Sequence, residues 1–280
     1  MQSQAARQPG RLNTPWLACS QPRPEARVRL VCLPYAGGGA AAFWPWSEDL
    51  GPQVEVWAVQ LPGRERRFAE PPLTSMGDVV PPIADAIAAR IQPPFALFGH
   101  SMGGLLALET ARTLRRRGGP APVRLFASGT RAPHLPPIDD AHTFDDHQLE
   151  KWLVSLGGLP EEVRADRQLL AMIMPTIRAD LELCGRYEHR PQAPLTCPIV
   201  TFAGADDPLA SAEDVAGWAS YTDAGFGLTV LPGDHFFLHR HRRSLTAAIA
   251  QAIRDQIEDG ARGSEPPTGA ASPAEGVRQR

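Results

Sequence analysis

Six short, continuous apolar runs punctuate the chain: Val28–Leu33, Val54–Val59, Phe95–Phe98, Val123–Ala127, Ile199–Ala203 and Leu228–Leu231. Runs that are apolar throughout, rather than alternating, are the signature of strands buried on both faces of a parallel sheet. Helical spacing separates most of them. Val79, Ile83, Ile87 and Ile91 fall on one helical face, a second helical stretch covers Leu105 to Leu114, and a third, Ser244 to Ile257, closes the pattern. Strands alternating with helices predict an α/β fold, a mostly parallel central sheet with helices on both faces. Functional loops are then expected at the carboxyl ends of the strands.

The alternation breaks between about 131 and 194. Asp145–Leu156 and then Pro160 through Tyr187 are helical in character, and Pro133, Pro136, Pro137, Pro191 and Pro194 fence the segment. Such an insertion between strands reads as a helical lid over the site; the plainer alternative is a helix pair packed on the sheet edge. Its apolar positions, Leu169, Leu170, Met172, Ile173, Met174, Ile177 and Leu181, suit either the lining of a pocket or ordinary core. The flanks differ in composition: 1–27 and 260–280 are rich in Gln, Pro, Gly, Ala and Arg and are expected to be disordered tails around one domain at 28–259.

Composition narrows the function class. A chain of 280 residues can bury a single large core. A net charge of −3 gives no sign of a nucleic-acid partner. No window reaches the roughly 20 apolar residues of a membrane span, and the N-terminus has no apolar core of a secretory signal. A cytoplasmic monomer is expected. Cys19, Cys32, Cys184 and Cys197 lack C-x-x-C spacing, so neither a disulfide framework nor a zinc site is indicated. No metal and no cofactor is expected.

Chemistry enters at Gly99-His100-Ser101-Met102-Gly103. An apolar strand precedes this G-x-S-x-G and a helix follows it, the context of a nucleophile elbow. The turn is tight, and side chains at 99 and 103 are expected to collide with neighbouring backbone. A serine hydroxyl needs a base, and the base a third group to hold it, in chain order Ser, acid, His. His235, in Pro232-Gly233-Asp234-His235 after the last strand, fits the base; His239 and His241 fall at the start of the final helix and read as solvent-facing. For the acid, the strand at 199–203 runs into Gly204-Ala205-Asp206-Asp207-Pro208. The turn favours Asp207 as the residue delivered toward the His loop, with Asp206 the alternative. The loop after Val123–Ala127 offers no carboxylate before Asp139. An oxyanion needs two donors: Met102 N–H, next to the nucleophile, and an amide of the glycine-rich loop Pro34–Gly39, for which Ala36 is the choice. Arg64, Arg66 and Arg67, after Val54–Val59, read as an entrance cluster or as a solvated loop.

Taken together, Pro34-Tyr-Ala-Gly-Gly38, Leu61-Pro-Gly-Arg-Glu65, Gly99–Gly103, Gly204-x-x-Asp207-Pro and Gly233-Asp-His-Phe-Phe237 resemble the stand-alone type II thioesterases that accompany polyketide synthases and nonribosomal peptide synthetases. The resemblance runs from about Val28 to Asp259. It implies an α/β-hydrolase fold with Ser101, Asp207 and His235 as triad, Ala36 and Met102 as oxyanion donors, and a lid over an acyl chamber. It further implies an editing role: removing aberrant or stalled acyl groups from the phosphopantetheine arm of acyl or peptidyl carrier proteins, with the arginines at 64, 66 and 67 as candidate docking groups. A medium-chain fatty acyl thioesterase and a general carboxylesterase are the rivals.

Overall fold

The computed structural model describes residues 15–136 and 140–262. Seven strands form one sheet in the order β1-β3-β2-β4-β5-β6-β7. They are β1 (Leu17–Ala18), β2 (Val28–Leu33), β3 (Val54–Val59), β4 (Phe95–His100), β5 (Arg124–Ser128), β6 (Ile199–Gly204) and β7 (Phe226–Leu231). All neighbours are parallel except β1, which runs antiparallel to β3 with Leu17 opposite Val59.

The expected tail 1–27 is therefore corrected over its described part: Leu17 is fully buried against the helix Met76–Arg90, and β1 pairs with β3. Residues 1–14 lie outside the described residues. At the other end, the last helix reaches Arg262, and 263–280 lie outside them too.

Consecutive residues of each central strand serve opposite faces, which is why the runs are continuous. Val31, Leu33 and Leu97 pack with Val79, Ile83 and Leu106 of α2 (Met76–Arg90) and α3 (Met102–Arg116). Leu30, Cys32, Ala96 and Phe98 pack instead with Trp46 of α1 (Trp46–Asp49) and with Leu245 and Ile249 of α9 (Arg242–Arg262). Each large side chain so buried contributes about 1.5–3 kcal/mol. Helix α2 begins earlier than its apolar spacing suggests, because Ser75 caps it by accepting from Asp78 N.

The insertion holds α4 (Asp146–Ser155), α5 (Glu161–Ala165) and α6 (Arg167–Gly185). It has its own small core of Leu149, Leu153, Leu159, Leu170, Met174 and Ile177. The short helices α7 (Ala212–Ala216) and α8 (Phe237–Arg240) complete the chain. Arg115, in the last turn of α3, donates to the carbonyls of Ala193 and Pro194, and so fastens the end of the insertion to α3.

Strand order reverses between β2, whose next strand lies to one side, and β4, which lies to the other. In open α/β sheets a crevice forms outside the carboxyl ends at such a switch point. The register brings Leu33 beside Gly99 and His100 beside Ser128, so the loops after β2, β4 and β5 open together.

Candidate active site

Ser101 sits between β4 and α3 at φ 53° and ψ −119°, a left-handed conformation that a residue with a Cβ rarely adopts. Surrounding contacts hold it there. Its N–H donates to Ser128 O at 2.8 Å, and its carbonyl accepts from Thr130 Oγ1 at 2.8 Å. Gly99 and Gly103 make the turn possible: a Cβ on Gly99 would run into the Gly103 carbonyl at the start of α3, and one on Gly103 into the Leu33 carbonyl of β2.

The structure brings Ser101, His235 and Asp207 into one hydrogen-bonded chain. Ser101 Oγ lies 2.9 Å from His235 Nε2, and His235 Nδ1 lies 2.9 Å and 3.0 Å from the two oxygens of Asp207. Asp207 Oδ1 also accepts from Leu209 N at 2.9 Å and Ala210 N at 3.2 Å, an arrangement that fixes the carboxylate independently of the histidine. Its side chain is fully buried, whereas neighbouring Asp206 is exposed. Neither His239 nor His241 joins this chain. His239 is exposed, but its Nε2 lies 3.0 Å from the Tyr35 hydroxyl and its ring stacks on Phe236. Desolvation there lowers the His239 pKa and pushes the Tyr35 phenol up to about 12.

Behind His235 lies His100, fully buried, with its ring centroid 5.2 Å away and its Nδ1 3.0 Å from Ser128 Oγ. Burial, and then the neighbouring His235 and His239, holds its pKa well below the ordinary value, so it is a neutral wall to the site.

Ala36 and Met102 both border the cavity in front of Ser101. Residues 35–38 form a turn closed by Gly38 N donating to Tyr35 O at 2.9 Å, which leaves the Ala36 N–H outside the turn's own hydrogen bond.

The cavity, about 300 Å³, extends from Ser101 under the insertion. Of the aliphatic stripe on α6, only Leu181 lines it; Leu170, Met174 and Ile177 form the insertion's core, and Met172 is exposed. Its apolar wall comes instead from Trp152, Leu153 and Leu156 at the end of α4, with Leu105 of α3. A polar side, unanticipated in the sequence, consists of His134, Tyr187 and His189; His134 Nδ1 and His189 Nε2 both meet the Tyr221 hydroxyl at 3.1 Å. Cys184 also lines the cavity, and burial pushes its thiol up to about 12, far from thiolate reactivity. Among the described residues, no grouping of His, Cys, Asp and Glu is arranged to hold a metal ion. No described helix is long and apolar enough to cross a membrane.

The arginine cluster is where sequence and structure part. Arg64 is buried in a bidentate pair with Asp180 of α6, at 2.6 and 2.7 Å. Arg67 is buried too, paired with Glu70 at 2.6 Å and lying over the Trp16 ring. Only Arg66 is exposed. The loop is not an arginine patch: two of its three arginines are buried in ion pairs, and an entrance role for Arg64 and Arg67 is withdrawn. Asp180 was missed. Its signal was a carboxylate three residues beyond Ile177 and four before Cys184, on the apolar face of a helix, where an ion needs a partner.

A thioesterase-domain family matches residues 28–257. The chain is 39% identical over 240 residues to the gramicidin S biosynthesis protein GrsT of Aneurinibacillus migulanus, covering 85% of this chain and 94% of that protein. It is 34% identical over 228 residues to the medium-chain S-acyl fatty acid synthase thioesterase of Rattus norvegicus, covering 79% and 86%. The crystal structure of RedJ, a thioesterase from the prodiginine biosynthetic pathway in Streptomyces coelicolor, superimposes with a TM-score of 0.76 at 46% identity, over 81% of this chain and 86% of that one. The sheet with its helical insertion is thus the α/β-hydrolase fold, and a family match across this length fixes the reaction class. The chain belongs to the thioesterase family and is a thioester hydrolase.

Proposed function

We propose that this enzyme is an editing thioesterase of a polyketide or nonribosomal peptide assembly line, acting in the cytoplasm. It clears stalled or aberrant acyl groups from the phosphopantetheine arm of carrier proteins. The observation that carries the reading is the Ser101–His235–Asp207 chain opening on a largely apolar cavity, in a chain similar to GrsT and RedJ, proteins of gramicidin S and prodiginine biosynthesis.

The residues suit a two-step acyl transfer. Ser101 Oγ adds to the thioester carbonyl while its proton passes to His235 Nε2, and Asp207 stabilises the imidazolium. The N–H groups of Ala36 and Met102 receive the oxyanion. The C–S bond then breaks, the leaving thiolate takes the proton from His235, and the acyl group is left on Ser101. Water, deprotonated by His235, attacks the ester; the carboxylic acid leaves and the proton returns to Ser101. Every group in this scheme is a side chain or amide of the chain itself, and the arm belongs to the partner.

The test is to load a carrier protein with acetyl, propionyl and longer acyl groups and follow their loss by intact-protein mass spectrometry. Wild type and Ser101→Ala would run in parallel, with matched p-nitrophenyl esters as an oxyester control. Ser101-dependent release of short or branched acyl groups, faster than oxyester cleavage, is expected. A marked preference for medium-length straight chains would transfer the enzyme to fatty acid synthesis. An untouched carrier beside rapidly cleaved oxyesters would leave a general esterase.

A further inference from the structure

We infer that Asp180 and Arg64 are positioning residues for the oxyanion hole: a buried ion pair through which helix α6 of the insertion sets the Ala36 N–H. The inference rests on the assignment of Ala36 as an oxyanion donor. It begins with the weakness of the loop that carries that donor. Ala36 is followed by Gly37, Gly38 and Gly39, and three consecutive glycines give a backbone more freedom than any other sequence. An oxyanion donor is effective only when it is preorganised, so that nothing has to reorient as charge develops. Something outside the loop must hold it.

Three contacts do so. Gly37 N–H donates to Asp180 Oδ2 at 2.7 Å, which fixes the plane of the Ala36–Gly37 peptide. Arg64 Nη1 donates at 2.6 Å to that same oxygen and at 3.0 Å to the Gly38 carbonyl, so the next part of the turn is fixed by the same cation. Ile177, one turn before Asp180 on α6, packs directly against Gly37; a Cβ there would lie 2.7 Å from Ile177 Cγ1, and Gly37 has a φ of +76° that disfavours one. The Ala36–Gly37 and Gly38–Gly39 peptides are therefore pinned from outside, Gly38 N–H is engaged within the turn, and the turn's free amide is that of Ala36.

The pair is built for rigidity. Asp180 is 1% exposed and Arg64 7%, the fork is bidentate, and Arg64 Nε donates to Pro62 O. Such a set of donors satisfies a carboxylate out of water, and its geometry tolerates little displacement. Thr176 adds a parallel tie from α6, donating to Gly63 O at 2.9 Å. The end of α6 is thus bolted to the loops after β2 and β3, and any opening of the insertion that carried α6 away would dismantle the oxyanion hole.

A double-mutant cycle tests this on the full chain, with propionyl-N-acetylcysteamine as a soluble thioester. Asp180→Asn keeps size but loses the ion and one acceptor; Ala36→Pro deletes the donor itself. Asp180→Asn is expected to lower kcat by about 10–100-fold with KM within about 2-fold, the scale of a misplaced catalytic group. Affinity for a trifluoromethyl ketone analogue, whose adduct with Ser101 carries the oxyanion, falls by the same factor. In the Ala36→Pro background, adding Asp180→Asn changes kcat less than about 2-fold, because both act on one donor. Arg64→Lys, which retains the charge without the fork, shows a smaller loss of the same kind and serves if Asp180→Asn does not fold. Undiminished kcat in folded Asp180→Asn or Arg64→Lys, unchanged analogue affinity, or losses that multiply independently with those of Ala36→Pro would overturn the inference. A silent Ala36→Pro would overturn the oxyanion assignment itself, and the inference with it.

Discussion

The two sides of the cavity hold their shape by different means. On the sheet side, Ser101, Asp207 and His235 stand in turns at strand ends and are held by the strands and turns beside them. Asp207 is fixed by the amides two and three residues on, and Ser101 by the strand beside it and by a turn that excludes Cβ atoms. On the roof side, α4 and α6 pack on each other through a separate apolar core and meet the body through a few polar anchors, Asp180–Arg64 and Thr176–Gly63 among them. Chemistry rests on the part that cannot adjust. Chamber shape rests on a separate module, which reaches the proposed machinery where Asp180 and Arg64 hold the loop after β2.

The sharpest break is expected on the sheet side. Asp207→Asn retains the acceptor for Leu209 and Ala210 but presents an amide to His235 Nδ1, so kcat should fall by about 10⁴-fold with the melting temperature nearly unchanged. Asp206→Asn, two atoms of difference one residue earlier and exposed, should leave kcat within about 2-fold. Steady-state kinetics on a carrier-bound acyl group reads both, and comparable losses in the two variants would refute the assignment of the acid. Gly99→Ala comes next. Its Cβ meets backbone rather than a movable side chain, so about 3 kcal/mol or more of stability is lost. Denaturant unfolding would measure it; a fully stable, active Gly99→Ala would show that the elbow relaxes.

The roof should respond differently. Leu149→Ala empties a fully buried site in the insertion's own core and is expected to cost about 2–4 kcal/mol. Limited proteolysis should place the first cuts within the insertion while the sheet stays protected, and turnover of short thioesters should survive at low temperature. Cuts appearing first in the sheet would mean that roof and body unfold as one unit.

What could be read from the sequence follows the same division. The strands at 28–33 and 54–59, the elbow, Asp207 and His235 depend on local rules, namely buried runs and turn residues, and a local rule leaves a local trace. The strand at Leu17–Ala18 is too short to show a pattern and exists only because β3 offers it an edge. The start of α2 precedes its apolar spacing because the Ser75 cap, not the stripe, sets it. Arg64 looked like a surface charge because its partner is 116 residues away in sequence. The apolar stripe of α6 was left open between pocket wall and core for a related reason. Which face of α6 turns toward Ser101 is decided by Asp180 and Ile177 gripping the β2 loop, and at about 100° per residue a small rotation exchanges chamber for core.

The smallest effect expected is on acid stability, and it also separates the two sides. His100 is buried, neutral and held well below its ordinary value of 6.5 in the folded state, whereas in the unfolded chain it titrates near that value. Below about pH 6.5 the unfolded state therefore binds a proton that the folded state refuses. The contribution is fully present above the unfolded pKa and is lost as pH falls toward the folded one, at a slope approaching about 1.4 kcal/mol per pH unit. His239, also lowered by desolvation, adds a weaker change of the same sign. Denaturant unfolding of wild type and His100→Gln at pH 7, 6 and 5 isolates the buried group. The variant is less stable at pH 7, and its stability falls less between pH 7 and 5, because glutamine takes up no proton in either state. Leu149→Ala, on the roof, shifts the whole curve and leaves the slope as it was. Equal slopes in wild type and His100→Gln would mean that the cost of charging His100 is already met in the folded protein, and that the wall behind His235 is not neutral.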